Sequence, residues 1–195
     1  REYFGQNNLI LKPINQTIKA NTDSLNVIFI LGESVRADHL QLNGYHRKTT
    51  PLLAKRENLI SFPNAYTPLT YTAISVPQIL TNATLTDDYS QPKYSLIDIL
   101  NHAKVQTHWI GNQTPEKSYE IFIEQSGYQK IIDPLHSELS FQKDYDDKML
   151  PVFKTLFKPN QNQFTTLHMM GSHWWYETRY PDAFRKFQPV IKSKH

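Results

Sequence analysis

The chain has 195 residues, enough for one domain with a substantial core, and its 39% hydrophobic and 20% charged residues exclude a disordered polymer. Its net charge of +3 is spread along the sequence without a Lys/Arg run, so nothing marks a nucleic-acid groove, while an anionic substrate or a membrane surface stays compatible. There are no cysteines, which excludes disulfides and thiolate metal sites and leaves any metal to His, Asp, Glu or hydroxyl oxygens.

Residues 1–24 are rich in Asn, Gln and Lys and show no period, so they read as a lead-in segment. Val27 to Leu31 is an unbroken apolar run, too short to span a membrane, and with Asn26 it is suited to a buried central strand over Asn26 to Leu31. Gly32 ends it and Glu33 follows at once. A short helix is expected from Ser34 to Leu40 with Ser34 as N-cap, then a turn at Asn43-Gly44. Thr50 and Pro51 predict a helix running to about Asn58, and Leu59 to Phe62 a short strand. After a proline-containing loop, Thr72 to Leu80 reads as helix, as do Tyr94 to Ala103 and Glu116 to Gln125. Strands are expected at Val105–Ile110, Lys130–Ile132 and Phe164–Met169. Between the last two, Asp144 to Phe157 carries an apolar face at helical spacing. Trp174 to His195 is aromatic, then basic, and reads as irregular. Strands alternating with helices predict an α/β fold, doubly wound around a mostly parallel sheet with helices on both faces.

Several chemistry-bearing residues fall just past these strands: Glu33 after the first, Asn112 and Gln113 after the second, and His173 after the last. If the strands are parallel, all of them converge on the carboxyl edge, where open sheets bind ligands. Taken singly they are ambiguous. Glu33 reads equally as a metal ligand or as charge at a helix start. Thr72, at a loop-to-helix junction, reads as an N-cap before it reads as a nucleophile. His168, within its strand, reads as a core histidine, whereas His173 beside Gly171 suits ligand or acid–base work. Lys117 can reach a phosphate from its helix start or simply be solvated.

Read together, four blocks resemble one family. Asn26 to Pro51 (NVIFILGESVRADHLQLNGYHRKTTP), Thr70 to Pro77 (TYTAISVP), Trp109 to Lys117, and Leu167 to His173 continuing to Arg179-Tyr180-Pro181 resemble, in this order, bacterial phosphoethanolamine transferases of the alkaline phosphatase–sulfatase superfamily. The resemblance covers Asn26 to Pro189 and implies a periplasmic catalytic domain over residues 25–195, behind a membrane-proximal linker over residues 1–24. It implies inner-membrane attachment through helices lying upstream of this sequence, which begins with Arg1 and reads as a piece of a longer product. It also implies transfer of phosphoethanolamine from phosphatidylethanolamine to lipid A or a lipopolysaccharide core sugar. In that reading Thr72 is the group acceptor and, with Glu33, a Zn2+ ligand. Lys117 binds the substrate phosphate, Gln113 stands where a substrate-contacting Asn is usual, and His173, catalytic and substrate-binding, contacts substrate or a second zinc.

The sequence departs from the family in three ways. A late Ser-Asp-His-Gly-Glu block that supplies further metal ligands is absent, so a stable zinc site in this chain alone is not expected. Pro68 and Gln78 stand where relatives often carry a disulfide around the nucleophile, and Trp174-Trp175 replaces the usual Gly-Pro after His173. Two other readings stand beside the transferase: a related metal-dependent phosphoester or sulfate ester hydrolase, and an inactive fragment. The hydrolase lacks support from any Cys/Ser-x-Pro-x-Arg motif after Asn64.

Overall fold

The computed structural model describes residues 9–84, 86–87, 90–132 and 144–190. Four parallel strands, β1 (Asn26–Leu31), β2 (Gln106–Gly111), β3 (Tyr128–Ile131) and β4 (Gln163–His168), form a sheet of order β1-β4-β2-β3. β4, the last strand in sequence, lies between β1 and β2, and all six of its residues are buried. Their common direction brings the ends of β1, β2 and β4 to one edge, as the sequence led us to expect.

Side-chain alternation divides the core in two. Leu31, Trp109 and Phe164 point to one face and pack with α1 (Thr72–Ile79), α2 (Leu96–His102) and α3 (Lys117–Gln125). Ile110 and Leu167 point to the other and meet α4 (Met149–Leu156). Helix by helix, the reason is spacing. Tyr119, Phe122 and Ile123 form the buried stripe of α3, and Met149, Val152, Phe153 and Leu156 the packed stripe of α4. α2 starts where Ser95 Oγ accepts the Asp98 N–H at 3.3 Å, a side-chain N-cap. The same hydroxyl donates to Gln125 Oε1 at 2.6 Å and ties α2 to the end of α3.

Four expectations fail. Among the described residues β1 is an edge strand rather than a central one: it pairs there with β4 alone, and Ile28 and Ile30 are 46% and 60% exposed. Its apolar run is double-sided, but among the described residues only the Phe29–Leu31 face is covered. The Ser34–Leu40 helix reduces to a 3-10 turn at Ala37–His39. Seven residues are too few to nucleate a helix unaided, and side chains from elsewhere take its carbonyls: Asn43 Nδ2 bonds Ala37 O and the Thr49 hydroxyl bonds His39 O. The helix expected after Thr50 is likewise one 3-10 turn, Leu53–Lys55, because Leu52 and Leu53 are 78% and 48% exposed and find no core. Leu59–Phe62 is no strand, and Ile60 and Phe62 lie in solvent. No helix among the described residues is long and apolar enough to cross a membrane.

Candidate active site

The site is built where β1 stops. Residue 34 has φ 53°, so the chain turns sharply after Glu33 instead of entering a helix. The Ser34 hydroxyl, expected as an N-cap, donates to Glu33 Oε1 at 2.7 Å. The other carboxylate oxygen accepts the Thr72 hydroxyl at 2.7 Å and Gln113 Nε2 at 3.3 Å. Thr72 is the first residue of α1; Tyr71 occupies the N-cap position. The Thr72 hydroxyl is thus not a cap. It reaches across the strand edge to a carboxylate 39 residues earlier.

Glu33 carries opposing influences. Burial raises its pKa, but hydrogen bonds from Thr72, Ser34 and Gln113, with the charge of His173, outweigh burial and hold it below the ordinary glutamate value. Glu33 is therefore a fixed anion at neutral pH and a weak base.

A second layer holds this group in register. Gln113 also donates to Met169 O at 2.5 Å. The Ser172 N–H donates to the Glu33 carbonyl at 3.0 Å. Gly171, at φ +53°, lies so close to Glu33 that an added Cβ would stand 2.8 Å from its carbonyl oxygen. Asp146, at the turn before α4, accepts the N–H groups of Met170 and Gly171 at 2.8 and 2.9 Å and Asn112 Nδ2 at 3.0 Å. Sequence reasoning missed Asp146; one carboxylate in an acidic helix start gives no sign that a loop 24 residues later depends on it.

The expected site residues do not all meet. Glu33, Thr72 and Gln113 share direct hydrogen bonds. His173 acts on Glu33 through its charge, and its Nδ1–H faces the Trp174 carbonyl at 2.9 Å. Lys117 is exposed at the first turn of α3 and bonds none of them. His168 is a core histidine as expected, set edge-on against the Trp109 and Tyr119 rings at 5.5 and 5.4 Å. It also borders the site, and its Nε2 is buried without a hydrogen-bond partner.

The Thr72 hydroxyl opens on a cleft of about 390 Å³ whose walls include Leu69, Tyr71, Val76 and Ile79. One end is polar and anionic, the other apolar. For zinc, the two oxygens of the Glu33–Thr72 pair fall short of the three protein ligands of a catalytic site, and no cluster of three His, Asp or Glu able to hold a metal exists among the described residues.

Comparison with known proteins bears on the family and the fold. The sequence model of the sulfatase family matches residues 25–195. The chain is 31% identical over 177 residues to the phosphatidylethanolamine transferase Mcr-2 of Escherichia coli, covering 86% of this chain and 33% of that protein. It is 31% identical over 172 residues to the phosphoethanolamine transferase EptA of Escherichia coli K12, covering 85% and 31% respectively. The chain thus spans about a third of the length of these relatives. Among solved structures, the periplasmic domain of EptC from Escherichia coli in complex with zinc superposes with a TM-score of 0.78 at 28% identity, over 88% of this chain and 50% of that one. The soluble domain of lipooligosaccharide phosphoethanolamine transferase A from Neisseria meningitidis gives 0.75 at 30% identity, over 89% and 53%.

Proposed function

The chain belongs to the sulfatase family, and we propose that it carries the nucleophile end of a phosphoethanolamine transferase acting at the periplasmic face of the inner membrane. The observation that carries this reading is the Thr72–Glu33 hydrogen bond at the carboxyl end of β1. A hydroxyl fixed at a helix start, aimed into a cleft and gripped by an ionised carboxylate, is oriented for in-line attack on phosphorus.

Phosphatidylethanolamine fits the cleft as donor: its phosphate end meets Thr72 and its acyl end the apolar wall of Leu69, Val76 and Ile79. In the first step the Thr72 Oγ–P bond forms as the bond from phosphorus to the glycerol oxygen breaks. The proton that the Thr72 hydroxyl gives up ends on the glycerol oxygen of the departing diacylglycerol. In the second step the hydroxyl of a lipid A or lipopolysaccharide core sugar attacks the phosphorus as the Thr72 Oγ–P bond breaks, and the proton it loses returns to the Thr72 oxygen. His173 and Lys117 serve the phosphoryl oxygens and the leaving group once substrate draws them in.

Glu33 orients Thr72 but does not activate it. A carboxylate below its ordinary pKa is a poor acceptor for an alcohol proton. Zinc would supply that activation when bound, and Glu33 and Thr72 would be two of its ligands; the rest must come from outside the described residues. This donor count favours one second reading, a chain that binds donor without turning it over.

Intact-mass and peptide analysis of the full-length gene product, after incubation with a phosphatidylethanolamine analogue and zinc, tests the proposal. One phosphoethanolamine group on Thr72, absent from Thr72→Ala, is expected. Retention of the adduct in Thr72→Ala, or no adduct at all, refutes a phospho-threonine route through Thr72.

A further inference from the structure

A separate cleft, of about 540 Å³, lies between the lead-in segment and α2, and it shares no lining residue with the Thr72 cleft. The lead-in is clipped down just before it. Leu9 and Leu11 pack against the core. On either side of Leu11 the backbone is bonded to Lys93: the Lys93 N–H donates to Ile10 O and the Lys12 N–H to Lys93 O, both at 2.8 Å. Beyond this clip the apolar residues change allegiance. Ile14 and Ile18 are half-buried but belong to neither core cluster; with Pro13 and Ile99 of α2 they make the apolar wall of the cleft.

Lys12 is the one charged residue of the lining. Its Nζ lies 4.9 Å from the centre of the Tyr94 ring, and among the described residues no carboxylate lies within ion-pair distance of it. Asp87 and Asp98, the carboxylates flanking this stretch of the chain, face Lys93 and His102 instead. Tyr94 is fixed by its own N–H, which donates to Asn82 Oδ1 at 2.8 Å. The cleft therefore has a positioned cation and a hydrocarbon wall, with the amides of Asn15 and Gln16 beside them.

An ammonium on a ring, without a counter-ion, takes a carboxylate or phosphate. Isoleucine side chains left outside the core gain by covering hydrocarbon. A wholly apolar ligand would leave Lys12 unused, and a small inorganic anion would leave Ile14, Ile18 and Ile99 uncovered. A nucleic acid needs a stripe of cations, and one lines this cleft. The volume suits a small molecule. We propose that this cleft binds a free single-chain anionic amphiphile: Lys12 holds its charged head and Ile14, Ile18 and Ile99 hold its acyl chain. A ligand seated there bridges the lead-in segment to α2. The proposal is independent of the transferase reading.

Titration of the 15N-labelled chain with octanoate, octanol and acetate, followed by amide shifts, tests this. Octanoate is expected to move Ile14, Gln16, Ile18, Tyr94 and Ile99 and to bind more tightly than either simpler probe. Lys12→Ala and Lys12→Gln should each weaken octanoate about tenfold or more, the size of a lost charge-assisted bond, while leaving octanol unchanged. Ile18→Ala should weaken octanoate and octanol alike, and Lys154→Ala, which removes a cation on α4, should weaken neither. No shift, equal affinity for octanol or acetate, shifts confined to the Thr72 cleft, or full octanoate binding by either well-folded Lys12 variant would overturn the proposal. Flotation with phosphatidylglycerol vesicles separates a free anion from a bilayer: vesicle binding abolished by Lys12→Gln, without octanoate shifts, would overturn it in favour of a membrane surface. None of these results depends on an adduct at Thr72, so failure here and failure of the transferase reading are separable.

Discussion

Replacing Gly171 by alanine tests how firmly Glu33 is held. Two costs are legible in the structure. The residue sits at φ +53°, and a left-handed backbone costs a residue with a Cβ about 1 kcal/mol. The added Cβ would also stand 2.8 Å from the Glu33 carbonyl oxygen and 3.0 Å from its nitrogen. Both are backbone atoms and cannot swing aside. Relief means parting the two segments and losing the Ser172 N–H bond to the same carbonyl, a further cost of about 1 kcal/mol. The expected loss is about 2–3 kcal/mol, read as a lower urea midpoint at unchanged slope. Gly44 supplies the control: it is also left-handed, at φ +96°, but has nothing within 4 Å of its Cβ position. Gly44→Ala should lose only the conformational part, about 1 kcal/mol. Equal losses in the two variants would refute the argument that contact with Gly171 fixes Glu33.

Three more outcomes are expected. Burial holds His168 neutral and lowers its pKa to about 4, from the ordinary 6.5 at which the unfolded chain protonates. Its contribution to stability is therefore complete above 6.5 and drains away as pH falls toward 4; ring resonances followed by NMR should show the low midpoint, and a midpoint near 6.5 would contradict the burial argument. Asp146→Asn leaves one acceptor oxygen for three donors, so the Met170 and Gly171 amides should lose about tenfold or more of their hydrogen-exchange protection; unchanged protection would mean that something else holds that turn. After dialysis against zinc, metal analysis should find the chain well below one ion per molecule, and a stoichiometric ion would reveal ligands beyond Glu33 and Thr72.

Much of the fold is legible in the sequence because its signals are local. The stripe of α3, the Ser95 cap of α2 and the apolar run of β1 each sit within a few residues. The expected convergence on one sheet edge also holds, since it needs only parallel strands. What fails depends on distant partners. Leu52, Ile60 and Phe62 have the composition of regular structure but lie outside both core clusters. Thr72 looks like a cap until a carboxylate 39 residues away claims its hydroxyl. The role of Asp146 is invisible for the same reason. Resemblance to a family, rather than spacing, selects Glu33, Thr72 and Gln113, and the fold brings those three into contact while leaving Lys117 apart.

The place of β1 has a consequence in time. Among the described residues its only strand partner is β4, and Leu25 bonds Asn162 from a distance of 137 residues. At a synthesis rate of about 5–20 residues per second, this apolar strand exists for several seconds or more before its partner has been made. During that interval Val27 to Leu31 is an unpaired β-branched segment of the kind that associates with other chains. The pairing of β1 with β4 thus waits on a partner far along the chain, and such long-range pairing makes folding slow. Yield of folded chain should respond to holdase chaperones and to the pace of translation more than to any substitution at the site itself.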